Sequence, residues 1–161
     1  MDLMYELRIL LHVVIAAFLS GIVGYEREKT NKPAGIKTNM IVGGSVALLV
    51  TLGEGITIHF QNLGLTDIIQ TDPTRIIQAI IVGVSFIGAG TVMHVEKIYK
   101  VKYLTTAASI LYSTGLGISV ALGYYILAVG LTLFILLIYY PVRWIQKKFI
   151  NPDNFEEQEP D

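Results

Sequence analysis

Long apolar runs alternate with short polar stretches along most of this chain. Five runs predict helices, over about residues 7–25, 38–53, 75–93, 104–117 and 118–140. The second is short unless it continues toward Phe60. The last two form one stretch, Tyr103 to Tyr140, with no Asp, Glu, Lys, Arg or His. At a rise of about 1.5 Å per residue, one helix of that length would overshoot a hydrocarbon core of about 30 Å nearly twofold. It therefore reads as two spans, and the reversal is placed at Gly115-Leu116-Gly117, a glycine pair able to adopt turn dihedrals. Residues 54–74 mix Ile, Phe and Leu with His59, Asp67 and Asp72, and a short surface helix is one reading of them.

Composition turns this pattern into a fold class. Of 161 residues, 53% are hydrophobic and only 16% charged, with a mean hydropathy of +0.58. A soluble domain carries about a quarter charged residues. The expected architecture is an all-α integral membrane protein, one transmembrane domain over residues 1–148, followed by an acidic, disordered tail at 149–161. Asp2 and Glu6 precede the first apolar run, unlike the basic start of a cleavable signal, so the first span is expected to remain.

Arg27, Lys29, Lys32 and Lys37 lie between spans one and two. Lys97, Lys100 and Lys102 follow span three, and Arg143, Lys147 and Lys148 follow span five. Arg8 and Arg75 fall on the other side. This asymmetry predicts an outside N-terminus and a cytoplasmic C-terminus. The net charge of −1 and the scattered basic residues exclude a nucleic-acid footprint. Without cysteine, disulfides and thiolate metal sites are excluded.

Small residues recur at helical spacing. Ala16, Ser20 and Gly24 are four apart, with Ala17 and Gly21 beside them; Ala79 and Gly83 follow, then Ser85 and Ala89, with Gly88 and Gly90 adding slack. Ser109, Ser113 and Gly117 continue the theme. Helices in lipid associate by close packing, which small residues permit. Packing is the expectation for Gly21, Gly24, Gly83, Gly88 and Gly90; unwinding of Gly88-Ala89-Gly90 around a ligand is the alternative.

Three polar stretches carry candidate chemistry. In Asp72-Pro73-Thr74-Arg75, Asp72 reads as a helix cap, Pro73 as the first helical residue, and Arg75 as a cation reaching back to a carboxylate or out to headgroups. Gln78 lies one turn further on the same face and needs a partner at that depth. Around Tyr25–Asn39, Glu26 and Glu28 alternate with Arg27 and Lys29; the glutamates are either salt-bridge partners or part of an interfacial polar site. Pro33-Ala34-Gly35 reads as a turn, and Lys37-Thr38-Asn39 opens span two. Thr105, Thr106 and Ser109 start span four, on the same side of the membrane as Glu26 and Glu28. His12 is the ionisable group well inside a span.

In this order, GYEREKTNKPAGIKT from Gly24, DPTRIIQAIIVGVSFIGAG from Asp72 and LTTAAS from Leu104 resemble the MgtC/SapB family of membrane proteins, over about residues 7–140. The resemblance implies a multi-pass protein of a bacterial or archaeal plasma membrane, linked to magnesium homeostasis and growth in low magnesium. It marks Glu26, Arg27, Glu28, Pro33, Gly35, Thr38, Asp72, Arg75, Gln78, Gly88, Gly90, Thr105, Thr106 and Ser109 as matching motif positions. Some members carry a C-terminal cytoplasmic domain that is not found in this sequence. The family's usual histidine after the threonine is Asn39 here, so no imidazole role carries over.

Two functions are expected in order: a regulator that binds another membrane complex, then a Mg²⁺ transporter or channel. Mg²⁺ demands octahedral oxygen ligands, whereas no span has Asp or Glu near its middle. Its candidate ligands are Glu26, Glu28 and Asp72, and no other cofactor is expected. Expected partners are membrane lipids, a second copy in a homodimer, and another membrane protein complex. An enzyme is not expected: the G-x-S-x-G spacing fails at Gly83-Val84-Ser85, and phosphate-loop and H-E-x-x-H motifs are missing from the sequence.

Overall fold

The computed structural model describes residues 3–64, 72–93 and 103–145. They form five helices, α1 (Leu3–Lys29), α2 (Ile36–Asn62), α3 (Pro73–Met93), α4 (Leu104–Ala121) and α5 (Tyr125–Ile145). The first four are long and apolar enough to span a membrane, and α5 is apolar over Tyr125–Tyr139. Lys97, Lys100, Lys102, Arg143, Lys147, Lys148 and the acidic tail lie outside what is described of side chains.

Two expectations need correction. The second helix does not stop near Gly53; it runs to Asn62, so residues 54–62 extend α2 and form no separate surface helix. Within it Gly53 and Gly55 are close-contact positions, since neighbours fill the space a Cβ would need: Ile76 of α3 at Gly53, and the Tyr5 hydroxyl at Gly55. The helix ends at Leu63, before Gly64 with φ +69°.

The reversal between α4 and α5 is not at Gly115-Leu116-Gly117 but at Leu122–Tyr124. Gly123 takes φ +77°, its N–H donates to Val120 O at 2.9 Å, and the Tyr124 N–H donates to Ser119 O at 2.8 Å. These are the two bonds of a Schellman C-cap. Gly117 is a crossing point instead. A Cβ there would lie 2.6 Å from Gly43 O and 2.9 Å from Val46 Cβ, so its missing side chain lets α2 and α4 approach.

Helix α4 is the hub, packing against the other four. Its buried hydroxyls are small enough for close contact and hydrogen-bond within the fold. Ser109 donates to Thr106 O, Thr114 to Ile110 O and Ser119 to Gly115 O, at 2.8–3.1 Å. One apolar core joins Ala16, Leu19, Val23, Ala47, Leu116, Val120 and Ala128, drawn from α1, α2, α4 and α5. A smaller one joins Val46, Ile80, Val84 and Ile110 of α2, α3 and α4. The outward faces are apolar too, with Ile126 92% and Phe86 79% exposed, as lipid-facing helices require.

Candidate functional site

The end of the bundle where α1 finishes and α2 and α4 begin is built around Arg27. Its side chain is 0% exposed. One guanidinium nitrogen donates to Thr105 Oγ1 at 3.2 Å. The other donates to Thr106 Oγ1 and to Pro33 O, the latter at 3.4 Å. A planar fork with fixed donors suits three acceptors on two elements. Ser109 supports the arrangement by donating to the Thr106 carbonyl at 2.8 Å. The Tyr139 phenol of α5 faces the same guanidinium.

The loop between α1 and α2 is folded onto this cation. Asn31 and Ala34 both take left-handed conformations, with φ 51° and 57°. The Asn39 amide donates to Ala34 O at 2.6 Å and Gly35 O at 2.9 Å, while its carbonyl accepts from Ser113 Oγ at 2.7 Å. Asn39 thus ties the loop to α4, fully buried.

Glu28 closes the pair from outside. Its Oε2 accepts the Ile36 N–H at 2.9 Å, so a side chain of α1 caps the first turn of α2. Gly35 makes room, because a Cβ there would sit 2.6 Å from that same oxygen. Gly24 lets the helices meet: a Cβ would stand 2.6 Å from Gly35 O and 2.7 Å from the Ile36 Cα. Gly21 and Gly88 also face neighbours, Met40 and Ala107 respectively.

Glu26 does not pair with Arg27. Its Oε2 and the Arg27 Nε are both buried without a hydrogen-bond partner among the described residues. Thr105 and Thr106, which share a side of the membrane with Glu26 and Glu28, face the arginine between them. Thr38 is exposed and stands apart from this network.

Asp72, Arg75 and Gln78 are at the opposite end. Asp72 Oδ1 accepts from the Thr74 hydroxyl at 2.6 Å and the Thr74 N–H at 3.0 Å, and Arg75 Nε lies 3.5 Å from Asp72 Oδ2. These bonds, the hydroxyl's first, hold the carboxyl below its ordinary range. It is the cap of α3 that the sequence predicts. Gln78 is exposed and hydrogen-bonds nothing among the described residues. Gly83 and Gly90 also face open space, so none of the described helices packs on them.

Asn39, Ser113 and Tyr139 are the site residues that motif reading passed over. An asparagine on the first turn of an apolar helix was a signal for the first of these; contacts 74 residues away in sequence leave none for Ser113. Among the described residues, no three His, Cys, Asp or Glu side chains form a metal-binding group.

Comparison with known proteins bears on the same stretches. The profile of the MgtC family matches residues 13–148. Protein SapB of Bacillus subtilis is 35% identical over 151 residues, covering 94% of this chain and 63% of that protein. The protein named "Putative magnesium transporter YhiD" of Escherichia coli K12 is 30% identical over 120 residues, covering 74% of this chain and 54% of that one. Protein MgtC of Salmonella typhimurium is 29% identical over 127 residues, covering 79% and 49%. The chain thus spans between 49% and 63% of the length of these relatives. No solved structure matches it.

Proposed function

The chain belongs to the MgtC family, and from that premise we propose that it is a non-enzymatic protein of a bacterial or archaeal plasma membrane, acting in magnesium homeostasis by binding and regulating another membrane complex. The observation that carries this reading is the Arg27 clasp. Arg27 is buried against Thr105, Thr106 and Pro33, and Glu28 caps α2. At the other end Asp72 caps α3. Carboxylates already bonded to the protein's own backbone are poor stations for Mg²⁺, which needs a full octahedron of oxygens and sheds water reluctantly. A fixed clasp does what a docking surface needs: it gives a defined shape to the loop between exposed Lys29, at the end of α1, and exposed Lys37, at the start of α2.

Transport of Mg²⁺ by the chain itself is the second reading. It is favoured by Glu26, whose Oε2 is buried without a donor beside the clasp, and by the name of the YhiD relative. The lysine-bearing loop lies in the cytoplasm on either reading. A homodimer fits the outward Gly90 and Gly130, where a second copy could pack closely.

The test is Mg²⁺ flux into proteoliposomes that hold the purified protein alone, with Glu26→Gln, Glu28→Gln as control. Glutamine keeps the acceptor that caps α2, so the control preserves the fold. Flux no greater than in protein-free vesicles, from folded and inserted protein, supports the regulatory reading. Saturable flux that the double variant loses replaces it with transport.

A further inference from the structure

The end of the bundle opposite the Arg27 clasp carries a partly open cavity of about 400 Å³. Arg8 of α1 and Glu54, Thr57 and Gln61 of α2 line it, against Ile76 and Ile77 of α3. Arg8 and Glu54, both exposed, place opposite charges at its rim, and no ion pair joins them among the described residues. Two unlike charges held apart match a ligand that bears both.

The cavity opens beside the end of α2 and the start of α3. With 27 residues, α2 is about 40 Å long, more than a hydrocarbon core of about 30 Å. Its end, where Gln61 stands, therefore reaches the polar zone, with Thr57 and Glu54 one and two turns below it. Pro73, the first residue of α3, lines the same space.

Ile76 also lines a second cavity, an apolar groove of about 600 Å³ between α2 and α3. The groove follows α3 from Ile76 past Ala79 and Gly83 to Ile87, with Ile41 and Leu49 opposite. That stretch of α3 rises about 16 Å, near the ~15 Å depth of a single leaflet. A largely apolar cavity with both charges at its exposed rim thus adjoins, at Ile76, an apolar groove one leaflet long.

We propose that this composite cavity binds one zwitterionic phospholipid with a primary ammonium headgroup, its phosphate at Arg8, its ammonium at Glu54 and one acyl chain between α2 and α3. A primary ammonium donates hydrogen bonds to a carboxylate, which a quaternary one cannot, so the site selects ethanolamine over choline. The assignment stands on cavity geometry and charge, and holds whether the chain regulates a partner or moves an ion.

The experiment is native mass spectrometry of the delipidated full-length protein with dioleoyl phosphatidylethanolamine, phosphatidylcholine or phosphatidylglycerol. One phosphatidylethanolamine is expected to be retained about tenfold better than phosphatidylcholine, the worth of one charge-assisted hydrogen bond. Glu54→Gln should remove that preference, and Glu54→Lys should turn it toward phosphatidylglycerol. Arg8→Gln and the groove-filling Ala79→Phe should weaken every phospholipid. Helical circular dichroism and an unchanged elution volume certify the variants. Equal retention of the ethanolamine and choline lipids by the unaltered protein overturns the proposal, as does an undiminished preference in both Glu54 variants. Soluble phosphoethanolamine competing as well as the lipid overturns it too, since the groove would then contribute nothing.

Discussion

Arg27 shows how a charge inside a bilayer protein is made tolerable with no ion pair to it among the described residues. Hydroxyl oxygens of α4 and a carbonyl oxygen of the α1–α2 loop accept its hydrogen bonds, and the surrounding apolar packing keeps water from competing. Replacing it by methionine keeps the volume but removes every donor. Arg27→Met should lower stability by about 3 kcal/mol, since hydrogen bonds to charged groups are worth about 1.5–3 kcal/mol each and some acceptors can be rebonded. Arg27→Lys should lose less, because a single ammonium reaches one element or the other. Thermal unfolding in detergent, followed by circular dichroism, ranks the two. Asp72 obeys a different arithmetic, because it is exposed at a helix start. Its folded pKa is depressed by the Thr74 bonds, so the stability it contributes is present above its unfolded pKa and fades as pH falls through the folded value. A carboxyl titration by NMR should place its midpoint below the ordinary carboxylate range. Asp72→Asn caps without titrating, and should retain both function and membrane levels. If Asp72→Asn lost low-magnesium growth at normal protein levels, Asp72 would be more than a cap.

Helices here are set by what each glycine faces, and glycines that look alike in sequence differ in that respect. Gly24 lies against backbone, which cannot move aside as a flexible side chain can. Gly24→Ala should therefore pry α1 from α2 and lower the unfolding temperature. Gly83 has nothing within 4 Å of its missing Cβ. Gly83→Ala should leave the single chain unharmed or raise helix stability by about 0.5–1 kcal/mol, the usual gain of alanine over glycine. The two variants, unfolded side by side, separate internal contact from outward face; equal losses in both would mean that Gly83 packs inside the chain. The same contrast explains the misplaced reversal. Gly115, Gly117 and Gly123 offer equal freedom in sequence, but Gly117 is held helical by α2, and only Gly123 falls where α4 has finished its contacts.

Across the whole molecule, the Arg27 clasp and the Arg8–Glu54 chamber occupy opposite ends of one bundle, with α4 as the axis between them. The distribution of lysine and arginine predicts which end is cytoplasmic. The chain has no cysteine, so single cysteines report cleanly. Lys37→Cys should react with a membrane-impermeant thiol reagent only after intact cells are opened, and Leu63→Cys before. The reverse pattern would invert the topology and move the lipid chamber to the inner leaflet.

Apolar runs, missing charge and lysine-rich loops determined by themselves that this chain is a bundle of membrane helices, because lipid tolerates no other use of so long an uncharged stretch. The motif positions Glu26, Arg27, Glu28, Thr105 and Thr106 were legible as a group, and Asp72-Pro73 was legible as a cap, because capping is local. Only the tertiary structure decided that Arg27 faces the threonines while Glu28 caps a helix, that Asn39 joins the clasp, and that Arg8 shares a chamber with Glu54. Those facts depend on helix rotation and crossing. Both are set by which small residues meet across elements, and one-dimensional spacing does not contain that pairing.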